Sequence, residues 1–365
     1  MTEPTVDPLI EQAAERLLAP PSGQSWPAMS AAGELPAALW QRVQRGGFGR
    51  LLALEAAGGQ GLTWTDAFAL LHGLGYWQAP LPLAETMLAS QLATMAGMDL
   101  PEGVLTLLEL SQCPQLQLGQ PGASAAAPTL SGVVHGLPWA RHASAALVSL
   151  PEGRLAWLAL QAVPGVHLCP HLNQAGLPSD SLVLDKALLS PPARLPLALA
   201  QPVWTLGALA RSAMMAGAMA SALAQATAYA GLRQQFGKAI GAQQAVQQQL
   251  ALMAGDVAAA RVAVLAALAD APSAQSPDCP ALRFSAAVAK VRTGEAASRC
   301  AAIAHQVLGA IGFTQEHRLH HASTRLWAWR EEFGSDASWA MELGRAAIGA
   351  RSAGFWPGLT ARRLA

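Results

Sequence analysis

Charged side chains are scarce in this sequence. Asp, Glu, Lys and Arg account for 13% of its 365 residues, about half of the usual share, and 52% of the residues are apolar. The 23 basic residues equal the 23 acidic ones, so the formal net charge is zero. This composition excludes an intrinsically disordered chain and offers no basic field for nucleic acid. We expect two or three packed units that bury part of their apolar surface in an oligomer.

Cysteine is also rare. The four cysteines are Cys113, Cys169, Cys279 and Cys300. They lie far apart in the sequence without a C-x-x-C pair, so we expect free thiols. The run from His167 to His171 holds two histidines and one cysteine, one ligand short of a zinc site, and no metal is predicted.

The sequence pattern contains neither an export signal nor a typical membrane span. The first residues, Met1–Asp7, are acidic and contain proline, where a secretory signal needs a basic and then an apolar stretch. The most membrane-like segment, Ser212–Leu232, consists mainly of Ala, Gly, Ser and Met rather than Leu, Ile and Phe. We therefore expect a cytoplasmic protein in which this segment forms a buried helix and is not inserted into a membrane.

The spacing of apolar residues divides the chain into three regions. Residues 1–107 have helical spacing interrupted by prolines, and Thr63 and Asp66 are placed to cap one of the helices. Residues 108–196 contain short runs compatible with β-strands, separated by Pro and Gly. These runs are Leu130–Val134, Ala146–Leu150, Leu155–Leu160 and Leu182–Leu184. The segment Gln117–Pro128, rich in Gly, Ala, Ser and Pro, is interpreted as a loop between strands.

Residues 197–365 have helical spacing almost throughout. One apolar stripe runs from Val246 to Leu268, and Ala281–Gly309 is a second long helix. The abundance of Ala and Gly allows helices to approach closely, which is typical of a bundle of four. The predicted fold class is therefore α+β, with an N-terminal helical domain, a middle domain built on a small β-sheet or barrel, and a C-terminal four-helix bundle.

Two motifs in the last region are more specific than composition. The first reads R-Q-Q-F-G-K-A-I from Arg233, continues with Q-A-V-Q from Gln244 and then L-A-L-M-A. The second is H-Q-V-L-G-A-I-G-F-T-Q-E-H, His305–His317. They resemble the R-x-x-F-G-x-x-I, Q-x-V-Q, L-A-x-M-A and Q-x-x-G-G-x-G-F-T-x-E-H signatures of the acyl-CoA dehydrogenases, with Ala310 at the second Gly. The segment L-E-A-A-G-G-Q-G-L at residues 54–62 is similar to a third signature, and the resemblance covers nearly the whole chain.

The resemblance implies an FAD-dependent enzyme that dehydrogenates an acyl-CoA thioester. In that family a carboxylate removes the α-proton while the β-hydride passes to the flavin, which electron-transfer flavoprotein or a similar acceptor reoxidises. The two motifs of one subunit hold the ADP arm of an FAD whose flavin ring lies in a neighbouring subunit. Carried over by position, Arg233 pairs with the pyrophosphate, Phe236 packs on the adenosine, and Gln244 is a weaker polar candidate. Backbone groups at a helix end come from Gln306, Val307, Leu308, Gly309 and Ala310.

The catalytic carboxylate is missing from both places where the family carries it. One place is on the helix before the first motif, near Gly207, and the sequence has no Asp or Glu between Asp185 and Asp256. The other place is an E-G-T loop beyond the second motif, where ungapped matching puts Phe333. Glu332 is one residue off, which turns a helical side chain by about 100°, so it serves as a base only if the loop is re-registered.

The interpretation favoured for that loop is a solvated surface pair of Glu331 and Glu332 with Arg330. The β region also lacks the T-E-P-x-x-G-S-D strand, which in the family lines the flavin and the acyl chain. We find no copy of it in Leu105–Glu109 or in Gln117–Ser124. The missing elements serve the flavin ring and proton transfer, whereas the retained motifs serve the ADP arm.

This division resembles the short, base-lacking subunit of bacterial α2β2 heterotetrameric acyl-CoA dehydrogenases, which act on steroid-derived and other bulky CoA thioesters. The resemblance implies a second acyl-CoA dehydrogenase-like subunit that supplies the catalytic glutamate. Two alternatives stay open. One is a self-sufficient homo-oligomeric enzyme that uses Glu332 as its base, and the other is a non-catalytic scaffold that stabilises a partner.

Overall fold

The structure is a computed structural model that describes residues 6–119, 127–273, 278–349, 356–358 and 360–362, and its N-terminal part is helical. The helices are α1 (Pro8–Leu18), α2 (Trp26–Met29), α3 (Ala37–Arg45), α4 (Trp64–Tyr76) and α5 (Leu83–Met95). The predicted cap starts α4. Thr63 Oγ1 accepts from Asp66 N at 3.2 Å, and Asp66 Oδ2 accepts from Thr63 N at 2.9 Å, so two otherwise unpaired N–H groups are satisfied.

Two four-stranded sheets form the middle of the chain. Their strands are β1 (Val104–Glu109), β2 (Leu116–Gly119), β3 (Thr129–Pro138), β4 (Ala143–Leu150), β5 (Arg154–Ala159), β6 (Val166–Cys169), β7 (Ser179–Leu188) and β8 (Ala193–Arg194). The strand orders are β1-β4-β5-β8, with β1 and β4 parallel, and β2-β3-β7-β6, with antiparallel pairs. The four predicted runs correspond to β3, β4, β5 and β7.

The loop predicted over Gln117–Pro128 is wrong at its start. Residues 117–119 belong to β2, which pairs with β3, because Leu116 and Leu118 pack on the core. That apolar alternation outweighs a loop-like composition. Residues 120–126 lie outside the described part of the chain.

The C-terminal region is built around one long, buried helix. Its elements are α6 (Pro202–Leu232), a hairpin of β9 (Gln234–Gln235) and β10 (Lys238–Ala239), α7 (Gln244–Ala269), α8 (Leu282–Leu308), α9 (Leu319–Glu331) and α10 (Asp336–Gly349). Both α6 and α7 are long and apolar enough to cross a membrane by length and composition. In α6, 89% of the most apolar window is buried inside the protein, which confirms the predicted buried helix.

Small residues let α4 pack directly on α6. A Cβ on Gly75 would lie 1.8 Å from a backbone oxygen of α6, and a Cβ on Gly217 would lie 1.9 Å from a backbone oxygen of α4. Any larger residue at either position would force the two helices apart. One continuous cluster of buried residues extends from the N-terminal helices through the sheets to α9, and this arrangement confirms the α+β class.

Side-chain pairs fix the directions of the bundle helices. Asp256 on α7 accepts from Arg299 on α8 at 2.8 Å, while Ser285, near the start of α8, donates to Asp270 just beyond the end of α7 at 2.5 Å. Helices α7 and α8 therefore run antiparallel. Because only a short hairpin joins α6 to α7, the end of α6, the start of α7 and the end of α8 lie at the same end of the bundle.

Candidate functional site

The residues predicted to hold the ADP arm of FAD meet at that end of the bundle. Arg233 follows the last turn of α6, Gln244 starts α7, and residues 306–310 span the end of α8. Phe236 lies in the β9–β10 hairpin. A hydrogen bond from Ile240 N to Arg233 O, 2.8 Å long, holds this hairpin against the end of α6. We call the surface formed by Arg233, Phe236, Gln244 and residues 306–310 the arm surface.

The hairpin side of the arm surface is open to solvent. Phe236 is 91% exposed, and its φ of +53° lies in the left-handed region, which is uncommon for a large side chain. Arg233 is exposed, and none of the ion pairs within the described ranges includes it. A guanidinium fork matches phosphate oxygens, and an aromatic face can pack on a base. These two side chains are therefore suited to the ADP part of a dinucleotide.

The segment from Gln306 to Ala310 offers backbone groups rather than a row of side chains. Val307 and Leu308 are buried in the core, whereas Gln306, Gly309 and Ala310 are exposed. Gly309 has φ +61° and ψ −141°, a conformation that is essentially restricted to glycine. The glycine of the second motif therefore ends α8 and turns its backbone toward solvent.

A cavity of about 530 Å³ lies near the other end of α6, between the sheets and the turn that joins α9 to α10. Its aromatic lining consists of Trp204, Trp327 and Phe333. Polar lining residues include Glu109, His135, Asn173, Glu331 and Glu332. This cavity brings together the β1 end, the start of α6 and the loop in which sequence matching placed the missing base.

The two vacant base positions, Gly207 and Phe333, touch each other beside this cavity. A Cβ on Gly207 would lie 2.4 Å from the Phe333 ring, so the ring occupies the space that a side chain at position 207 would need. The same ring lies 6.0 Å from the Trp204 ring and 5.4 Å from the guanidinium carbon of Arg211. The place that both candidate carboxylates would enter is filled by an aromatic ring.

The predicted solvated pair of Glu332 with Arg330 is wrong. Arg330 Nε instead donates to Asp336 Oδ1 at 2.9 Å. Glu332 Oε2 accepts from Arg211 Nε at 2.6 Å, and its Oε1 accepts from Asn173 Nδ2 at 3.1 Å. Both carboxylate oxygens are therefore bound within the protein, which leaves the side chain poorly placed to receive a proton from a ligand.

Sequence reasoning missed Arg211, the residue that binds Glu332. The side chain is 3% exposed and also pairs with Glu85 on α5. Burial disfavours its charged form, but the carboxylates of Glu85 and Glu332 outweigh this effect and raise the pKa of Arg211. A signal existed, because Arg211 is the sole charged residue between Arg194 and Arg233 and had to find a partner once α6 was buried.

Lys290 on α8 also forms hydrogen bonds to this turn. Its Nζ is fully buried and donates to Trp329 O at 2.6 Å and to Glu332 O at 2.8 Å, where α9 ends. Burial lowers the pKa of Lys290 from 10.5 to about 7, and the carboxylate of Glu332 offsets this only in part. A neutral amine has two N–H groups, which matches the two carbonyl acceptors.

Lys290 should make the stability of the fold depend on pH. Between pH 7 and 10.5 the unfolded chain carries a proton on Lys290 that the folded chain lacks, so the free energy of unfolding rises with pH. The expected slope is up to about 1.4 kcal/mol per pH unit. Urea denaturation of the natural chain and of Lys290→Met from pH 7 to 9.5 measures it. If the free energy of unfolding changed with pH in the same way in both proteins, the lowered pKa of Lys290 would be contradicted.

The arm surface and the cavity are too far apart to share one cofactor molecule within a chain. Gly207 and Arg233 are 26 residues apart along the continuous helix α6, which at about 1.5 Å per residue separates them by roughly 39 Å. One extended dinucleotide does not span that distance. A dinucleotide bound at the arm surface therefore does not reach the cavity of the same chain.

The described residues contain no candidate metal site. Across the described ranges, no three His, Cys, Asp or Glu side chains come together as a metal site. The four cysteines are free thiols, as predicted. Burial raises the pKa of Cys113, which lines the cavity, to about 11, so the thiol stays protonated near neutral pH.

The sequence matches a family model and a named relative. Residues 198–348 match the family model described as acyl-CoA dehydrogenase, C-terminal domain. The acyl-CoA dehydrogenase IpdE2 of Mycobacterium tuberculosis is 30% identical over 284 residues, which cover 77% of this chain and 78% of the relative.

Solved structures share the fold. The ChsE4–ChsE5 complex from Mycobacterium tuberculosis contains a chain with a TM-score of 0.78 and 22% identity, covering 93% of this chain and 95% of that one. A chain of a variant Tcur3481–Tcur3483 steroid ACAD has a TM-score of 0.80 and 24% identity, covering 94% of this chain and 98% of that one. A glutaryl-coenzyme A dehydrogenase in complex with glutaryl-CoA has a TM-score of 0.76 and 20% identity, and 95% of each chain is covered.

Proposed function

This chain belongs to the acyl-CoA dehydrogenase family, and from that premise we propose that it is the base-lacking subunit of an FAD-dependent heteromer. The complex dehydrogenates an acyl-CoA thioester between its α and β carbons. Bound FAD would supply the acceptor for the β-hydride, and a glutamate of the second subunit would remove the α-proton. Electron-transfer flavoprotein or a similar cytoplasmic protein then takes the electrons.

The observation that carries this proposal is the contact between Gly207 and Phe333. Both family positions for the base are occupied without a carboxylate, and the aromatic ring at one fills the space at the other. The neighbouring Glu332 has both oxygens engaged by Arg211 and Asn173. A subunit with these features needs a base from elsewhere in order to take part in the reaction.

The task of this chain is to bind and orient the cofactor of its partner. Arg233 pairs with the pyrophosphate, Phe236 packs on the adenosine, and Gln244 lies beside them at the start of α7. Residues 306–310 add backbone groups at the end of α8. These roles follow the family pattern and are supported by the exposure of Phe236 and Arg233 and by the glycine-only turn at Gly309.

The partner is a second acyl-CoA dehydrogenase-like subunit in an α2β2 complex. The ChsE4–ChsE5 and Tcur3481–Tcur3483 structures each contain a chain of this fold, each is named for two proteins together, and the second is named a steroid ACAD. We extend that pattern to this chain and propose a bulky, steroid-derived acyl-CoA as the substrate of the complex.

The substitution Glu332→Gln tests the division of labour. In the purified complex we expect turnover to stay within about twofold of the natural protein, because the amide keeps a hydrogen-bond acceptor for Arg211 and the proton goes to the partner. A self-sufficient enzyme that uses Glu332 would instead lose at least about 10²-fold in turnover while keeping its flavin. A complex that never oxidises any acyl-CoA would favour the scaffold alternative.

A further inference from the structure

The connection between α8 and α9, residues 309–318, folds back on the two helices that it joins. Gly312 lies in the angle between them, since a Cβ on it would be 3.4 Å from His305 Nδ1 and 3.6 Å from Leu319 Cδ2. The connection begins within the arm residues 306–310. The backbone that this part of the arm surface offers is therefore held in place only as firmly as the connection itself.

A histidine at each end fastens the connection to α9. At the α8 end, His305 Nε2 lies 3.0 Å from Ser323 Oγ, and the Ser323 hydroxyl lies 3.2 Å from His320 O. Because the hydroxyl donates its one hydrogen to that carbonyl, we assign the imidazole N–H to Nε2, which donates to Ser323. At the α9 end, His317 Nδ1 accepts from the N–H group of Leu319, the first residue of α9, at 3.2 Å.

Both histidines are suited to the neutral form. In the assigned tautomer His305 has its lone pair on Nδ1, which is shielded from solvent and makes no well-aligned hydrogen bond within the described residues. His317 would lose its acceptor on protonation, because an imidazolium carries an N–H on both nitrogens. Burial lowers the pKa of His305, which the Gly312 backbone offsets only in part, and burial and the charge of Arg318 lower the pKa of His317.

The first turn of α9 also disfavours positive charge. It contains His320 and His321 but no acidic residue, and the two imidazole rings lie 3.8 Å apart. A helix N-terminus repels cations, because its unpaired N–H groups carry partial positive charge. Burial lowers the pKa of His321 to about 4, and the neighbouring His320 and Arg325 add to this effect. Protonation anywhere in this group of histidines therefore works against the start of α9.

Little negative charge faces these histidines from other elements. Arg318 and Arg325 form no ion pair among the described residues. Helix α6 has no acidic residue, and the acidic residue of α8 is ten positions before His305, about 15 Å along the helix. The other titratable groups nearby are Glu316 in the connection, Glu34 across a cavity of about 120 Å³ from His321, and Tyr76 across a cavity of about 270 Å³ from Arg318.

We propose that His305 and His317 are positioning residues for the cofactor arm. As neutral imidazoles they hold the connection 309–318 against the first turn of α9, and their protonation releases it together with the backbone groups of residues 306–310. These roles rest on the proposed function only in that residues 306–310 hold the ADP arm. FAD binding by the complex should therefore weaken in mild acid, although neither histidine belongs to the arm surface.

The FAD affinity of the purified complex, measured as a function of pH, tests these roles. Dialysis at graded FAD concentrations between pH 5.5 and 7.5 gives the affinity from flavin absorbance. We expect the natural complex to bind FAD at least about fivefold more weakly at pH 5.5 than at pH 7.5. A released histidine has a pKa near 6.5, so proton uptake in this range favours the released state.

Conservative substitutions separate the position of the side chains from their charge. His305→Gln keeps an N–H donor near the place of Nε2, and His317→Asn keeps an acceptor near the place of Nδ1. The double variant should bind FAD within about threefold of the natural complex at pH 7.5 and lose most of the pH dependence. His317→Leu, which leaves the Leu319 N–H without an acceptor, should bind about fivefold more weakly at pH 7.5. His167→Gln, on the exposed part of β6, is the control and should keep the full pH dependence.

Hydrogen exchange of residues 309–323 in the same complex gives a readout that does not depend on flavin. After correction for the intrinsic pH dependence of exchange, these amides should lose protection at pH 5.5 in the natural chain and keep it in the double variant. The proposal is overturned if FAD affinity or protection does not change with pH, if the double variant keeps the full pH dependence, or if His167→Gln removes it. A complex that binds no FAD at any pH would contradict the proposed function instead, and exchange would still test the two histidines.

Discussion

Replacement of Arg211 by Met is expected to lower the free energy of unfolding by about 3–5 kcal/mol, the largest stability effect we predict in this chain. The guanidinium is 3% exposed and lies between the carboxylates of Glu85 and Glu332. Its removal leaves two acidic groups next to each other, one of them as buried as Arg211 itself. Urea denaturation at pH 7 measures the loss.

The matched control removes one of those leftover charges. Arg211→Met combined with Glu85→Gln should recover part of the lost stability, because an uncharged amide is less costly to bury than an unpaired carboxylate. A loss below about 1 kcal/mol in the single variant, or no recovery in the double variant, would show that the cluster does not hold α5, α6 and the α9–α10 turn together.

Replacement of Arg233 by Ala should weaken FAD binding by the complex by about 10- to 100-fold, the largest binding effect we predict. A charge-assisted hydrogen bond to phosphate contributes about 1.5–3 kcal/mol, and the guanidinium fork can make two. Because Arg233 is exposed and unpaired among the described residues, the melting temperature of the chain should not change. Flavin absorbance after dialysis at graded FAD concentrations gives the affinity.

Lys238→Ala is the control for this prediction. Lys238 carries the same charge on the same hairpin and is exposed, but it is outside the position that the family motif assigns to the pyrophosphate. We expect its effect on FAD affinity to be less than about threefold. If both variants lost the same FAD affinity, Arg233 would contribute only as one of several surface charges. If Arg233→Ala bound FAD as tightly as the natural protein, Arg233 would not be part of the FAD site.

Much of the fold could be predicted from local patterns in the sequence. The Thr63–Asp66 cap, the apolar strand runs and the uncharged segment of α6 each depend on neighbours within a few residues, and each is found as predicted. The family motifs likewise lie in continuous stretches, and the arm surface forms where short connections bring those stretches to one end of the bundle.

Long-range pairs explain what the sequence did not predict. Glu332 was assigned to a solvent pair with a neighbour two residues away, yet its partner Arg211 is 121 positions distant. The contact of Gly207 with Phe333 depends in the same way on how α6 and the α9–α10 turn meet. Periodicity describes which face of an element is buried, but it does not specify which residue of another element lies opposite.

The most direct test of a divided active site is to express this chain alone and together with any acyl-CoA dehydrogenase-like chain encoded beside it, and to record flavin absorbance and native mass for each preparation. We expect a colourless or unstable lone chain and a yellow α2β2 complex that oxidises an acyl-CoA thioester. A yellow, stable homo-oligomer of this chain that oxidises the same thioester without a partner would contradict it.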